Sequence, residues 1–150
     1  MACLCNGGLF PQLFFTQTAT PQTLTAATNP NVVLTLEPIA TLSGDEVKLD
    51  SMVELAITSA NAGVTTNVTG ATYILQRSTN GGVFVDLAQL DIDTQITDAA
   101  TVTLYPNLTW VDVPGVGTHV YRVVINVAAI AGITYSAETR ALNALVVREA

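Results

Sequence analysis

Two thiols, one imidazole and a run of aspartates are the side chains in this sequence whose types and spacing could support chemistry. Cys3 and Cys5 frame Leu4 in MACLCNGG, and no other cysteine occurs in the 150 residues. A zinc site takes about four ligands, so these two thiols would build one only with ligands drawn from several copies. A Cys3–Cys5 disulfide would close a very tight, strained ring. Intermolecular disulfides suit best two thiols on a tether whose own chain offers no partner. Gly7 and Gly8 follow directly and act as the hinge of that tether.

His119 is the single histidine and sits in GTHVYRV, an alternating strand pattern. Nucleophilic catalysis needs a base beside the nucleophile, and neither a Gly-x-Ser-x-Gly elbow nor a Cys-His context accompanies it. It reads as a structural strand residue. Asp86, Asp91, Asp93 and Asp98 fall within thirteen residues, and DIDTQITD gathers carboxylates at the close spacing of a calcium loop. The glycine and closing glutamate that make the helical calcium loop specific are missing, and Asp91 and Asp93 at alternate positions read as a solvated strand face. A glycosidase would need an acid and a base beside an aromatic sugar platform. Trp110, the sole tryptophan, reads with Tyr105 and Tyr121 as packing. The glycines of NGG and PGVG lie in turns between strands, not before a helix, so no phosphate loop is expected. Asn67 and Asn107 begin Asn-x-Thr triplets that arise readily by chance in Thr- and Asn-rich sequence. The expectation is therefore a protein that is not an enzyme, with no catalytic residue, no metal and no cofactor.

Five basic residues against twelve acidic ones leave a net charge of −7, which argues against nucleic acid and anionic membrane surfaces as partners. Only 11% of residues are charged while 49% are hydrophobic, so much of the surface must be Thr, Asn, Gln, Ser and Ala. Such a skin suits contact with other subunits. The longest apolar stretch, YRVVINVAAIAGITY, is interrupted by Arg122 and Asn126 and falls short of the roughly 20 residues of a membrane span. The segment before Pro11 lacks the basic region of a secretory leader, so synthesis in a cytoplasm is expected.

The elements that must position these residues are strands. Val47, Leu49, Val53, Leu55 and Ile57 alternate with Lys48, Asp50, Glu54 and Thr58, the pattern of a half-buried strand. Tyr121, Val123, Ile125 and Val127 alternate with a mixed second face and predict a strand covered partly on both sides. Alternating runs flank Asn80-Gly81-Gly82 and predict a β-hairpin. NVVLTLEPI, ATVTLY, LTWVDV and LNALVVRE add further strands, whereas NAGVTTNVTGAT reads as a connection or edge. The total of about eight predicts an all-β, jelly-roll-like sandwich over residues 31–150. An immunoglobulin domain would carry a Cys, Trp, Cys signature, which is missing.

Residues 1–30 differ in kind: Pro11, Pro21 and Pro30 disfavour helix and predict an extended amino-terminal connector arm. Its apolar residues Leu9, Phe10, Leu13, Phe14 and Phe15 would together gain roughly 8–15 kcal/mol on full burial. Ordering seven residues costs about 7–14 kcal/mol, so backbone hydrogen bonds to an open sheet edge decide the balance. That edge belongs either to a neighbouring copy, which propagates a filament or ring, or to the arm's own domain.

A Cys-bearing, Gly-hinged connector ahead of a Thr-rich all-β domain resembles the subunits of endospore appendages and exosporium fibres of spore-forming bacilli. The resemblance implies jelly-roll subunits stacked into fibres on the spore surface, amino-terminal connectors reaching into neighbours, and Cys3 and Cys5 locking those contacts. It implies the protein itself as partner, joined by anchor or tip proteins. Two other assemblies share the expected fold: a trimeric binding module of the tumour-necrosis-factor type and a viral or phage structural protein.

Overall fold

The structure, a computed structural model, describes residues 11–148. In chain order the strands are β1 (Gln12–Thr18), β2 (Gln22–Leu24), β3 (Asn31–Thr35), β4 (Ile39–Thr41), β5 (Glu46–Ser59), β6 (Thr65–Thr79), β7 (Val85–Thr97), β8 (Thr101–Leu104), β9 (Asn107–Asp112), β10 (Gly117–Asn126) and β11 (Ile133–Val147), with one 3-10 turn at Ala26–Thr28. Five of the breaks between these segments contain a proline, and three of the five split what is otherwise one edge strand. Pro21 separates β1 from β2, Pro38 separates β3 from β4 and Pro106 separates β8 from β9, each at a sheet edge, where a residue without an N–H interrupts a ladder. Taking each broken pair as one strand leaves eight.

The eight form two antiparallel sheets. The first runs β1/β2–β11–β5–β8/β9, and the second runs β3/β4–β10–β6–β7. Numbered one to eight along the chain, the first strand pairs with the eighth, the second with the seventh, the third with the sixth and the fourth with the fifth. A long hairpin rolled into two sheets gives that order, and the fold is a jelly-roll sandwich. The closed end of the hairpin is β6–β7, where Asn80 (φ 51°) and Gly81 (φ 73°) take the left-handed conformations expected of the Asn-Gly-Gly stretch.

The core lies between the sheets. Val47, Leu49, Val53, Leu55 and Ile57 of β5 and Tyr121, Val123 and Ile125 of β10 are fully buried, as alternation predicts. Between the sheets the Tyr73 hydroxyl donates to Ser51 Oγ at 2.9 Å, and burial pushes its pKa up to about 12. The second face of β10 is covered in part, with Arg122 stacked 3.6 Å over the Phe84 ring.

Two expectations need revision. NAGVTTNVTGAT is not a connection: Thr65 onward is the first half of β6, paired with β7, because Val68 and Ala71 face the core and the threonines pack along a sheet. The boundary expected at residue 30 also shifts. Residues 12–24 are edge strands of the sandwich, with β1 paired to β11 from Gln12↔Val146 to Thr18↔Arg140 and β2 paired to it at Tyr135↔Leu24. The physical reason is β11 itself, whose outer edge would otherwise carry a long row of unpaired amides.

Candidate functional site

Of the expected docking residues, Leu13, Phe14 and Phe15 lie in β1 and take the fold-back alternative, along the edge of their own sheet. Phe14 packs against the core. Leu13 and Phe15, at 63% and 64% exposure, point outward. Leu9, Phe10, Gly7, Gly8, Cys3 and Cys5 lie outside the described residues, and so do the contacts proposed for them.

The register fixes where the chain enters the sandwich. β1 starts beside Val146, near the carboxyl end of β11, while β2 finishes beside Tyr135, near its start. Between Tyr135 and Val146 a strand spans about 36 Å. At the Tyr135 end lies an open groove of about 480 Å³ lined by Leu24, Ala26, Ala27, the 128–131 alanine-rich turn, Ile133 and Tyr135. Its small side chains leave a shallow, largely apolar trough. Tyr135 is buried and its hydroxyl has no hydrogen-bond partner among the described residues. Sequence reasoning missed this groove, because its walls meet only when β2 and the β10–β11 connection fold together.

One residue that pattern reading passed over ties the amino-terminal strands down. Arg140, 6% exposed, donates from Nε to the Val33 carbonyl at 3.0 Å and from Nη1 to the carbonyls of Thr20, Ala137 and Glu138 at 3.0, 2.6 and 3.0 Å. It links β11 to the β1–β2 junction and to β3, and occupies the irregularity in β11 between Ala137 and Arg140. Burial lowers its pKa.

The imidazole sits in a second buried polar group. His119 is fully buried on β10, with Nδ1 3.0 Å from Thr79 Oγ1 and no hydrogen-bond partner for Nε2 among the described residues. Burial lowers its pKa, which outweighs the Gly115 carbonyl and the Asp112 charge. Nearby, Arg77 Nη1 donates to both carboxylate oxygens of Asp112 at 2.8 and 2.7 Å, and Tyr121 donates to Asp112 Oδ2 at 2.9 Å. Ion pairing and hydrogen bonding are complete at Asp112, so the group holds β6, β9 and β10 together.

The aspartates disperse. Asp86 accepts from Gln76 Nε2 at 2.7 Å, Asp91 and Asp93 point from β7 to solvent, and Asp98 accepts from the Gly63 and Ala99 amides at 2.9 and 2.8 Å. Those two amides hold the Asp98 carboxyl below its ordinary pKa. Among the described residues no three His, Cys, Asp or Glu side chains converge as ion ligands. Tyr121 is buried in the core, while Tyr105 and Trp110 remain 58% and 39% exposed along β8/β9.

No known protein family matches the chain, and no curated protein sequence does. Among solved structures, it is similar to that of the infectious bursal disease virus Gx strain, at 11% identity and a TM-score of 0.38 over 94% of this chain and 37% of that one. The Gt strain structure gives 13% identity and a TM-score of 0.37 over 94% and 38%. The chain spans less than two fifths of those viral chains.

Proposed function

We propose that this chain is a structural, self-assembling subunit of a spore-surface fibre, outside the cell, whose copies join head to tail through their amino-terminal connectors. The observation that carries the reading is that the connector leaves the sandwich at one end while the apolar groove opens at the other. Leu9 lies three residues before Gln12, a reach of about 11 Å against the roughly 36 Å that separates the two ends. Their own groove is thus out of reach for Leu9 and Phe10, which in this proposal meet the groove of another copy. A contact of one surface with a different surface of the next copy does not close on itself unless the rotation makes a ring, and so extends a filament. Cys3 and Cys5, carried past the hinge at Gly7 and Gly8, are placed to form disulfides with other copies once the assembly meets oxidising surroundings.

Electron microscopy of the purified protein tests this. The full chain is expected to form fibres, and both deletion of residues 2–10 and Ala27→Trp, which fills the groove, are expected to abolish them. Fibres that persist in both variants, or a full chain that stays monomeric, would overturn the reading.

A further inference from the structure

The outer face of the first sheet carries a strip that matches itself. Antiparallel register places Leu13, Leu145, Lys48 and Val111 in one row across β1, β11, β5 and β9, and Phe15, Asn143, Asp50 and Thr109 in the next row on the same face. Leu13, Phe15 and Val111 are more than half exposed, so the strip is apolar toward both edges. Its centre holds one cation and one anion, Lys48 and Asp50, 3.3 Å apart and about half exposed. Asp50 also accepts from Thr109 Oγ1 at 2.7 Å, which fixes the carboxylate on this face.

We propose that this strip is a two-fold interface between two copies of the chain, stacked sheet against sheet. A two-fold axis lying in the interface, across the strands and midway between the two rows, carries each row onto the other. Lys48 then faces Asp50 of the second copy, and Asp50 faces its Lys48. At the β1 edge Leu13 meets the second copy's Phe15, and Phe15 meets its Leu13. The central charges thus find partners of opposite sign in both directions, apolar side chains meet at the β1 edge, and Leu145 and Val111 lie opposite the second copy's Asn143 and Thr109. Stacked sheets cross at about 30°, so the match is best beside the axis, where these rows lie, and Glu46 and Met52 fall at the margin.

Four strands about 4.8 Å apart, over about seven residues of about 3.3 Å each, present about 450 Å² of flat sheet per copy. That lies at the low end of specific interfaces, so the contact is weak alone and gains strength when many copies are held side by side. The inference is independent of the head-to-tail contact: it uses a face, not the two ends, and pairs one row of subunits with another.

Charge reversal tests it under reducing conditions on the full chain carrying Ala27→Trp, which blocks the head-to-tail contact and serves as the original chain in each comparison. In Lys48→Asp, two carboxylates face two carboxylates across the axis; in Asp50→Lys, four ammonium groups do the same. Each variant alone is expected to self-associate at least tenfold more weakly than the original chain in sedimentation. Mixed one to one, they restore every opposite-sign pair and are expected to associate at least as tightly as the original chain. Both side chains are about half exposed, so both variants are expected to fold, and circular dichroism checks this. Leu13→Ser with Phe15→Ser supplies an uncharged second variant with the same expected loss. The proposal is overturned if the mixture associates no better than either variant alone. It is equally overturned if removing residues 1–10 is what first makes the face associate, since the chain's own terminus would then be its cover.

Discussion

At the scale of single residues, the polar side chains inside the sandwich hold strands together. His119 is the one side chain whose ordinary pKa, 6.5, lies near neutrality, and burial lowers it in the folded state. The unfolded chain therefore takes up its proton first, and stability is full above pH 6.5 and declines as pH falls below it. Urea midpoints at pH 7.5 and 5.5 are expected to differ in that direction, by at most about 1.4 kcal/mol for each pH unit. His119→Gln, which cannot titrate, is expected to flatten that interval. Arg140 matters through the carbonyls it satisfies. Arg140→Met keeps the apolar stem and orphans those carbonyls, so a loss of about 3 kcal/mol in denaturant unfolding is expected. Alternation could not show Arg140's importance, because its partners are backbone carbonyls and two of them, Val33 and Thr20, lie more than a hundred positions away in sequence.

Among the elements, β1 and β2 carry the largest revision to the sequence reading. QLFFTQT alternates as a strand should, yet nothing local says whether its partner is its own β11 or that of another copy. Pairing with β11 buries Phe14 and Leu24 and covers the edge of a fifteen-residue strand. Deleting residues 1–10 is expected to move the melting temperature by less than about 2 °C, since no β1 or β2 pairing is lost. Deleting residues 1–24 exposes β11, strands the Arg140 side chain and removes two apolar anchors, a loss of about 4 kcal/mol or more. Comparing the two truncations by thermal circular dichroism locates where the domain begins.

For the whole molecule, the proposed polymer is tested through its two thiols. If Cys3 and Cys5 join copies, non-reducing gels of air-exposed assemblies show ladders that collapse to about 16 kDa with reductant, consistent with the chain mass of 15.7 kDa. Cys3→Ser with Cys5→Ser is expected to remove the ladders and leave fibres that dissociate at lower temperature. Tethered subunits rebind at high effective concentration, whereas untethered ones diffuse away. Free thiols at both positions in mature assemblies would reject this role for the cysteines.

The sequence by itself determined the class of fold, because alternation along a strand reports which face is buried whatever the strand lies against. Val47 to Ile57 and Tyr121 to Ile125 show that directly, and Asn80-Gly81 marks its hairpin because positive φ is a local demand. The tertiary structure alone decided which strands are neighbours. Pairing β1 with β11 joins residues more than 120 positions apart, and the order of first with eighth and second with seventh comes from closing both sheets over one core. The end groove and the Lys48–Asp50 strip belong to that second kind of information. Each is assembled from segments distant in sequence, and no property of one segment foretells where its partners will lie.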